Sequence, residues 1–345
     1  MKVLLRSRWK LCAVFLALLV FPLIIAACGG DDEEKQVIKL SDTQFESLWI
    51  NNAIAKFVIE NGYGHPVETV ELSTPIMQAS LASGDIDLNM ELWHQNWIDN
   101  YNEETAKGNI VNLGATYEGG PQFFVVPKFM AEQYNIKTVD DMKNHWELVK
   151  DPEDSSKGEF HNCPIGWQCA EINRAKIQAY GLDEFFNIKS GGSQAALDAA
   201  LVGGQKKTEP VFGYYWAPTS IMGAYEWTVL EEPAYTAACW EEVAKGQADA
   251  SYTATEACAY ETLPIDKGMH KDLADKAPDV VEMLRKMNVG LEPINKTAAW
   301  AVEAEINDDW EKAAVYYLQT FEDRWSTWMP DDNFEKVKDA LEDAS

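Results

Sequence analysis

Apolar and polar positions alternate from Asp85 to Leu92, the spacing of a strand with one face turned inward. Val37–Leu40 and Val67–Leu72 are shorter strand candidates. Between them, Glu46–Glu60 places its apolar residues at helical spacing and stops at Gly62-Tyr63-Gly64. Thr74–Ser83 reads as a second helix, with Pro75 at its start. The order β-α-β-α-β predicts a mostly parallel sheet with right-handed crossovers. Gln122–Val126 is the next strand, closed by Pro127, and is read as the crossing into a second domain. Val211–Tyr215 is another, ending at Trp216, and Trp227–Leu230 is the return crossing. Helices are predicted over Val139–Trp146, Glu171–Tyr180, Asp279–Met287 and Asn307–Trp325. The last carries a core-facing stripe of Trp310, Ala313, Ala314, Tyr317, Phe321 and Trp325. The pattern is α/β, in two lobes: residues 37–124 with 228–345 as lobe one, and residues 125–227 as lobe two. In such sheets ligands sit beyond the carboxyl ends of the strands, where Trp93 falls.

The first residues follow a different rule. Lys2, Arg6, Arg8 and Lys10 precede an apolar run, Leu11–Ala27, and then Cys28-Gly29-Gly30, the layout of a secretory signal. The run is short for a membrane span and contains Pro22. Ile24-Ile25-Ala26-Ala27-Cys28 resembles a bacterial lipobox, which implies cleavage before Cys28 and a lipid on its sulfur. An uncleaved anchor helix is the alternative. Either way, the rest of the chain is expected outside the cytoplasm, tied to the membrane, with residues 28–36 as a polar tether. Without residues 1–27, which hold four basic residues and no acids, the charge of −27 becomes about −31. That surface repels nucleic acid and anionic lipid, and suits a cationic or zwitterionic solute.

Removing the signal and the lipid-bearing Cys28 leaves Cys163, Cys169, Cys239 and Cys258. Four cysteines in an oxidising compartment suggest two disulfides, with three possible pairings. Closeness in sequence favours Cys163–Cys169 and Cys239–Cys258. Zinc is disfavoured, because the spacing is wrong for a zinc ribbon and no histidine pair sits at ligand spacing.

Thirteen tryptophans are many for this length; most must serve core or surface packing, and three sit differently from the rest. Trp93 and Trp216 close strands. Trp167 lies in a loop that a Cys163–Cys169 bridge would stiffen, just before the predicted helix around Glu171. Free N–H groups at that helix start are donors for an anion. Several indole faces around one point make an aromatic cage, each worth about 0.5–2 kcal/mol to a cation. Quaternary ammonium is the natural guest, since it offers no N–H to a carboxylate. Trp49, four residues after Phe45 on the first helix, is a fourth candidate; either could complete the cage.

Three segments then carry a resemblance. Cys163-Pro164-Ile165-Gly166-Trp167-Gln168-Cys169, Gly213-Tyr214-Tyr215-Trp216-Ala217-Pro218 and Gly84–Trp93 resemble, in order, motifs of glycine betaine/proline betaine-binding proteins of ABC importers. The resemblance spans most of residues 37–290. It implies a type II periplasmic-binding-protein fold, two lobes closing on ligand, and a cage from Trp93, Trp167 and Trp216. It also implies that the N–H groups of Gln168 and Cys169 hold a ligand carboxylate, and that the closed form meets a permease. No histidine stands close after Trp216, where some members have one; Thr219 and Ser220 stand there. Glu91 and Glu171 would repel a betaine carboxylate. They would suit choline's hydroxyl or a protonated N-oxide, and trimethylamine N-oxide-binding relatives share the architecture. Dimethylsulfoniopropionate stays open too.

The expected protein is a monomeric binding protein without cofactor, metal or catalytic residues. A secreted carbohydrate-active enzyme would also use tryptophan platforms and paired acids. No G-x-S-x-G, P-loop or H-E-x-x-H motif occurs, and the five histidines form no cluster. An amino-acid site would want an arginine, and Arg174 is the candidate for it.

Overall fold

The structure is a computed structural model in which residues 35–344 are described. The expected signal segment, residues 1–27, and Cys28 lie outside them. Two five-stranded sheets organise the chain. The first holds β1 (Ile38–Asp42), β2 (Val67–Glu71), β3 (Leu88–Leu92), β4 (Ile110–Tyr117) and a late strand, β10 (Ile265–His270), in the order β2-β1-β3-β10-β4. The second holds β5 (Gln122–Pro127), β6 (Gly158–Asn162), β7 (Phe186–Ser190), β8 (Gly213–Trp216) and β9 (Trp227–Val229), in the order β7-β6-β8-β5-β9.

β1 pairs in parallel with β2 and β3, as the β-α-β-α-β order predicts. The sheets are otherwise mixed. β10 runs antiparallel between β3 and β4, and β5 runs antiparallel to β8 and β9. Parallel pairing needs a covering crossover between partners. β10 reaches its neighbours from far along the chain without one.

The helices that matter here are α1 (Glu46–Val58), α2 (Thr74–Ser83), α3 (Gln168–Ala179), α4 (Gln194–Lys207), α5 (Ser220–Ala224), α6 (Ala237–Ala248), α7 (Leu291–Glu303) and α8 (Trp310–Thr320). Pro75 sits in the first turn of α2, where its missing N–H leaves no bond unmade. α2 ends at Gly84 with φ 86°, a left-handed residue whose added Cβ would meet the His270 ring at 2.8 Å. Both favoured disulfides form, with Cα separations of 5.8 Å for Cys163–Cys169 and 6.4 Å for Cys239–Cys258. The second ties α6, which packs on α3, to the segment after it.

Several elements depart from the pattern reading. The Asp85–Leu92 strand begins only at Leu88, because the Asp87 carboxylate accepts the Lys39 N–H at 2.7 Å and the Lys276 ammonium at 2.7 Å. Val139–Trp146 is not an α-helix but two tighter turns, Asp140–Asn144 and Trp146–Val149. Left-handed Asn307 and Asp308 delay the long C-terminal helix to Trp310, and it breaks at Phe321.

Candidate functional site

The two sheets point strand ends and helix starts at one cleft. Phe45 stands just before α1 in an extended conformation, φ −141° and ψ 153°. Trp93 follows β3, Trp216 ends β8, and Trp167 caps the start of α3. Gly166 before it has φ 93°, which a side chain would strain. Its neighbour Ile165 is fixed by an N–H bond to the Gly191 carbonyl at 2.9 Å.

The Phe45 ring touches all three indoles edge to face. Ring centroids lie 6.5 Å away at Trp93, 5.6 Å at Trp167 and 6.4 Å at Trp216, with Trp167 and Trp216 5.3 Å apart. Trp216 is backed by Tyr215 and Tyr214, stacked at 4.4 and 6.0 Å. Trp93 lies so close to the chain that a Cβ on Gly120 would meet its ring at 2.7 Å. Gln168, Cys169, Thr43, Thr74, Met77, Asn96, Trp97 and Gln122 complete the lining, and Glu91 is its only charged residue.

Glu91 is fully buried at the floor. Its oxygens accept from Asn51 Nδ2 (2.6 Å), Ser47 Oγ (3.2 Å), Tyr117 Oη (2.6 Å) and Trp93 Nε1 (3.1 Å). Burial raises its carboxyl to about 7 and outweighs the lowering by these donors. Elsewhere in the lining, Gln122 Nε2 donates to Asn96 Oδ1 at 2.9 Å, and Tyr214 Oη donates to Gln122 Oε1 at 2.8 Å. The N–H of Gln168 donates to Thr74 Oγ1 at 3.0 Å, and that hydroxyl donates to the Gly166 carbonyl at 3.0 Å.

Trp93, Trp167, Trp216, Gln168, Cys169 and Glu91 thus come together, and Trp49 and Glu171 do not. Trp49 stacks on Trp310 at 5.2 Å and donates its indole N–H to Asp42 at 3.0 Å. It packs α1 on α8, away from the cleft. Glu171 faces a neighbouring outer groove and pairs with Arg174 at 2.7 Å. Arg174 also donates to the Gly246 carbonyl at 2.7 Å, so it too works outside the cleft. Sequence reasoning missed Thr74, Asn96, Trp97, Gln122 and Tyr214. Tyr214 had a readable signal, since strand alternation places it on the same face as Trp216. Among the described residues, no group of three His, Cys, Asp or Glu could hold a metal ion.

An aromatic cleft whose one charge is a carboxylate can hold a soft cation without N–H donors. The comparisons with known proteins fit that chemistry. A family model described as the substrate binding domain of ABC-type glycine betaine transport systems matches residues 36–320. The glycine betaine-binding periplasmic protein OusX of Dickeya dadantii is 27% identical over 182 residues, 52% of either chain. The chain therefore matches about half the length of that relative. The trimethylamine N-oxide-binding protein of Pelagibacter ubique is 22% identical over 332 residues, covering 93% of this chain and 98% of that one. Among solved structures, the glycine betaine/L-proline-binding protein ProX of Borrelia burgdorferi superposes with a TM-score of 0.69 at 18% identity, over 87% of this chain and 99% of that one. The fold is that of the type II periplasmic binding proteins.

Proposed function

We propose that this chain, which belongs to the family of substrate binding domains of ABC-type glycine betaine transport systems, captures a small methylated-ammonium compound outside the cytoplasm and delivers it to an ABC importer. The observation that carries the reading is the Phe45 ring in contact with Trp93, Trp167 and Trp216. Four aromatic rings drawn from both sheets converge where each sheet's strands end. Glycine betaine is the favoured ligand; trimethylamine N-oxide, choline and dimethylsulfoniopropionate share its cationic end.

The chain passes from the first sheet to the second between Tyr117 and Gln122, and back between Val229 and Ile265. That supports two lobes hinged near those segments, with ligand binding energy favouring closure. Family membership supports export, and Cys28 as a lipid-bearing residue would hold the protein at the membrane. Among the described residues no helix is long and apolar enough to cross one. Cys28→Ser should release the protein from the membrane fraction.

Titration calorimetry with the four compounds tests the ligand class. Binding of at least one, lost in Trp167→Ala and Trp216→Ala variants that still fold, is the expected result. Heat with none of them, but with a sugar, overturns the ligand; unchanged affinity in both variants overturns the cage.

A further inference from the structure

A second cluster of polar groups lies across the seam between the two sheets, beside the cage but outside its lining. Glu46 is the first residue of α1, next to Phe45, and is buried. Its carboxylate accepts the backbone N–H of Ser220 at 2.7 Å, and its own N–H donates to Gln194 Oε1 at 2.8 Å. α1 packs on β1 and β3 of the first sheet. Ser220 opens α5, four residues after Trp216, and Gln194 opens α4, which packs on β6 of the second. One residue therefore grips the second sheet twice while adjoining Phe45, one of the two cage rings on the first sheet's side. Gln194 passes the contact on: its Nε2 donates to Asp198 Oδ2 and to Tyr215 Oη, each at 3.3 Å. Tyr215 donates in turn to the other Asp198 oxygen.

We propose that Glu46 is a positioning residue of the site, latching the closed form so that ligand affinity rises in mildly acidic solution. The latch rests on the two-lobed reading above. The groups that face it are two acids and a phenol: Glu46 from α1, Asp198 from α4 and Tyr215 from β8. From α5, Ser220 adds its backbone N–H and its hydroxyl, neither of them charged. From β3, Glu91 reaches Ser47, the next residue along. On α7, Glu292 and Lys296 pair with each other at 2.7 Å, and Lys312 of α8 pairs with Asp309 at 2.9 Å. Among the described residues no cation pairs with Glu46 or Asp198. Burial raises the Glu46 carboxyl, and burial with the charge of Glu46 raises Asp198 to about 7. Opening the seam gives Glu46 water in place of Ser220 and separates the two acids. Closure then takes up protons, and falling pH favours it.

Calorimetry with glycine betaine and with choline, neither of which titrates between pH 5.5 and 7.5, reads this directly. The Glu91 carboxyl, at about 7, also loses its charge over this range and works against a cationic ligand in both proteins, so the latch is read against Glu46→Gln. From pH 7.5 to pH 5.5 the wild-type protein is expected to gain several-fold in affinity relative to that variant, and to take up more protons on binding, measured in two buffers of different ionisation heat. Glu46→Gln keeps the shape and an acceptor for Ser220, and should lack that gain and that extra uptake. Ser220→Pro removes both donors to Glu46, the N–H and the hydroxyl, at the first helical position, where proline is tolerated and the preceding Thr219 is already extended. It should weaken binding about tenfold at pH 7.5 while the melting temperature holds within a few degrees. A Glu46→Gln variant with the same pH dependence and the same proton uptake as the wild type overturns the latch. If neither probe binds at either pH, the ligand reading fails instead. The latch is then read from X-ray scattering: the radius of gyration grows from pH 5.5 to 7.5 in the wild type and not in Glu46→Gln, and equal behaviour of the two overturns it.

Discussion

The indole N–H of Trp93 donates to the buried carboxylate of Glu91 over 3.1 Å. Two residues apart at the end of β3, they share a face. Glu91 is itself held by Asn51 and Ser47 of α1 and by Tyr117 of β4. The orientation of a cage ring is thus set by three elements of the first sheet and its covering helix. Under the proposed function, Glu91 would act on ligand through Trp93 and through its charge.

Glu91→Gln should weaken ligand binding by about tenfold, because an amide turns one N–H₂ toward four donors and cannot hold the indole as firmly. It should also change how stability responds to pH. With its carboxyl raised from 4.5 to about 7, folded protein keeps a proton that the unfolded chain releases. The contribution of Glu91 to stability is complete below about pH 4.5 and is lost as pH rises through 7. Melting temperatures taken from pH 5 to 8 should therefore fall less steeply in the variant than in the wild type. Parallel curves would show that Glu91 does not titrate in this range.

Phe45 and Trp49 should separate cleanly. Phe45→Ala removes the ring that touches all three indoles, and affinity should drop at least about tenfold. Trp49→Ala leaves the cleft intact but strips the stack on Trp310, so affinity should hold while stability falls by about 2 kcal/mol. Calorimetry and urea unfolding on both variants check this, and the reverse pattern would return Trp49 to the site.

The two disulfides should also divide their effects. Chain entropy assigns about 2 kcal/mol to the six-residue separation of Cys163–Cys169 and about 3 kcal/mol to the nineteen of Cys239–Cys258. The shorter bridge spans Trp167, so Cys163→Ser with Cys169→Ser should weaken ligand binding more than its share of stability implies. Cys239→Ser with Cys258→Ser, behind α3, should lower the unfolding midpoint and leave affinity nearly unchanged. Equal losses of affinity in both pairs would remove the special role of the Trp167 loop.

These residues mark how far the sequence could be read. Trp93, Trp167 and Trp216 stood out because each adjoins a break in regular structure that the pattern itself shows. The choice between Phe45 and Trp49 was not legible from helical spacing, which puts both on one face. Phe45 in fact precedes the helix in extended backbone, and that turns its ring into the cleft. Glu171 was misplaced for a related reason: α3 begins at Gln168, so Glu171 lies a turn inside the helix, on its outer side. β10 escaped notice because Lys267 sits in its middle. The structure buries that ammonium against the carbonyls of Gly114, Ala115 and Met287, a long-range arrangement that no local pattern carries. Cross-chain contacts such as Glu46 with Ser220 are hidden from periodicity in the same way.

Thr74 offers the test that ranks the ligands. Its hydroxyl takes up the Gln168 N–H, a donor at the start of α3 that a ligand carboxylate would otherwise use. The same hydroxyl and the Thr74 N–H both donate to the Gly166 carbonyl, joining α2 to the Trp167 loop. Thr74→Val keeps the shape, removes the hydroxyl and frees the Gln168 donor. For choline, which has no carboxylate, the lost hydrogen bonds should weaken binding about three- to tenfold. Glycine betaine can place its carboxylate on the vacated N–H and should lose less, so the preference for glycine betaine over choline should rise in the variant. Calorimetry with the two compounds measures that ratio. A ratio unchanged from the wild type would show that the ligand's anionic end lies away from the Gln168 N–H, and would direct the search to Asn96, Gln122 and Tyr214 in the same lining.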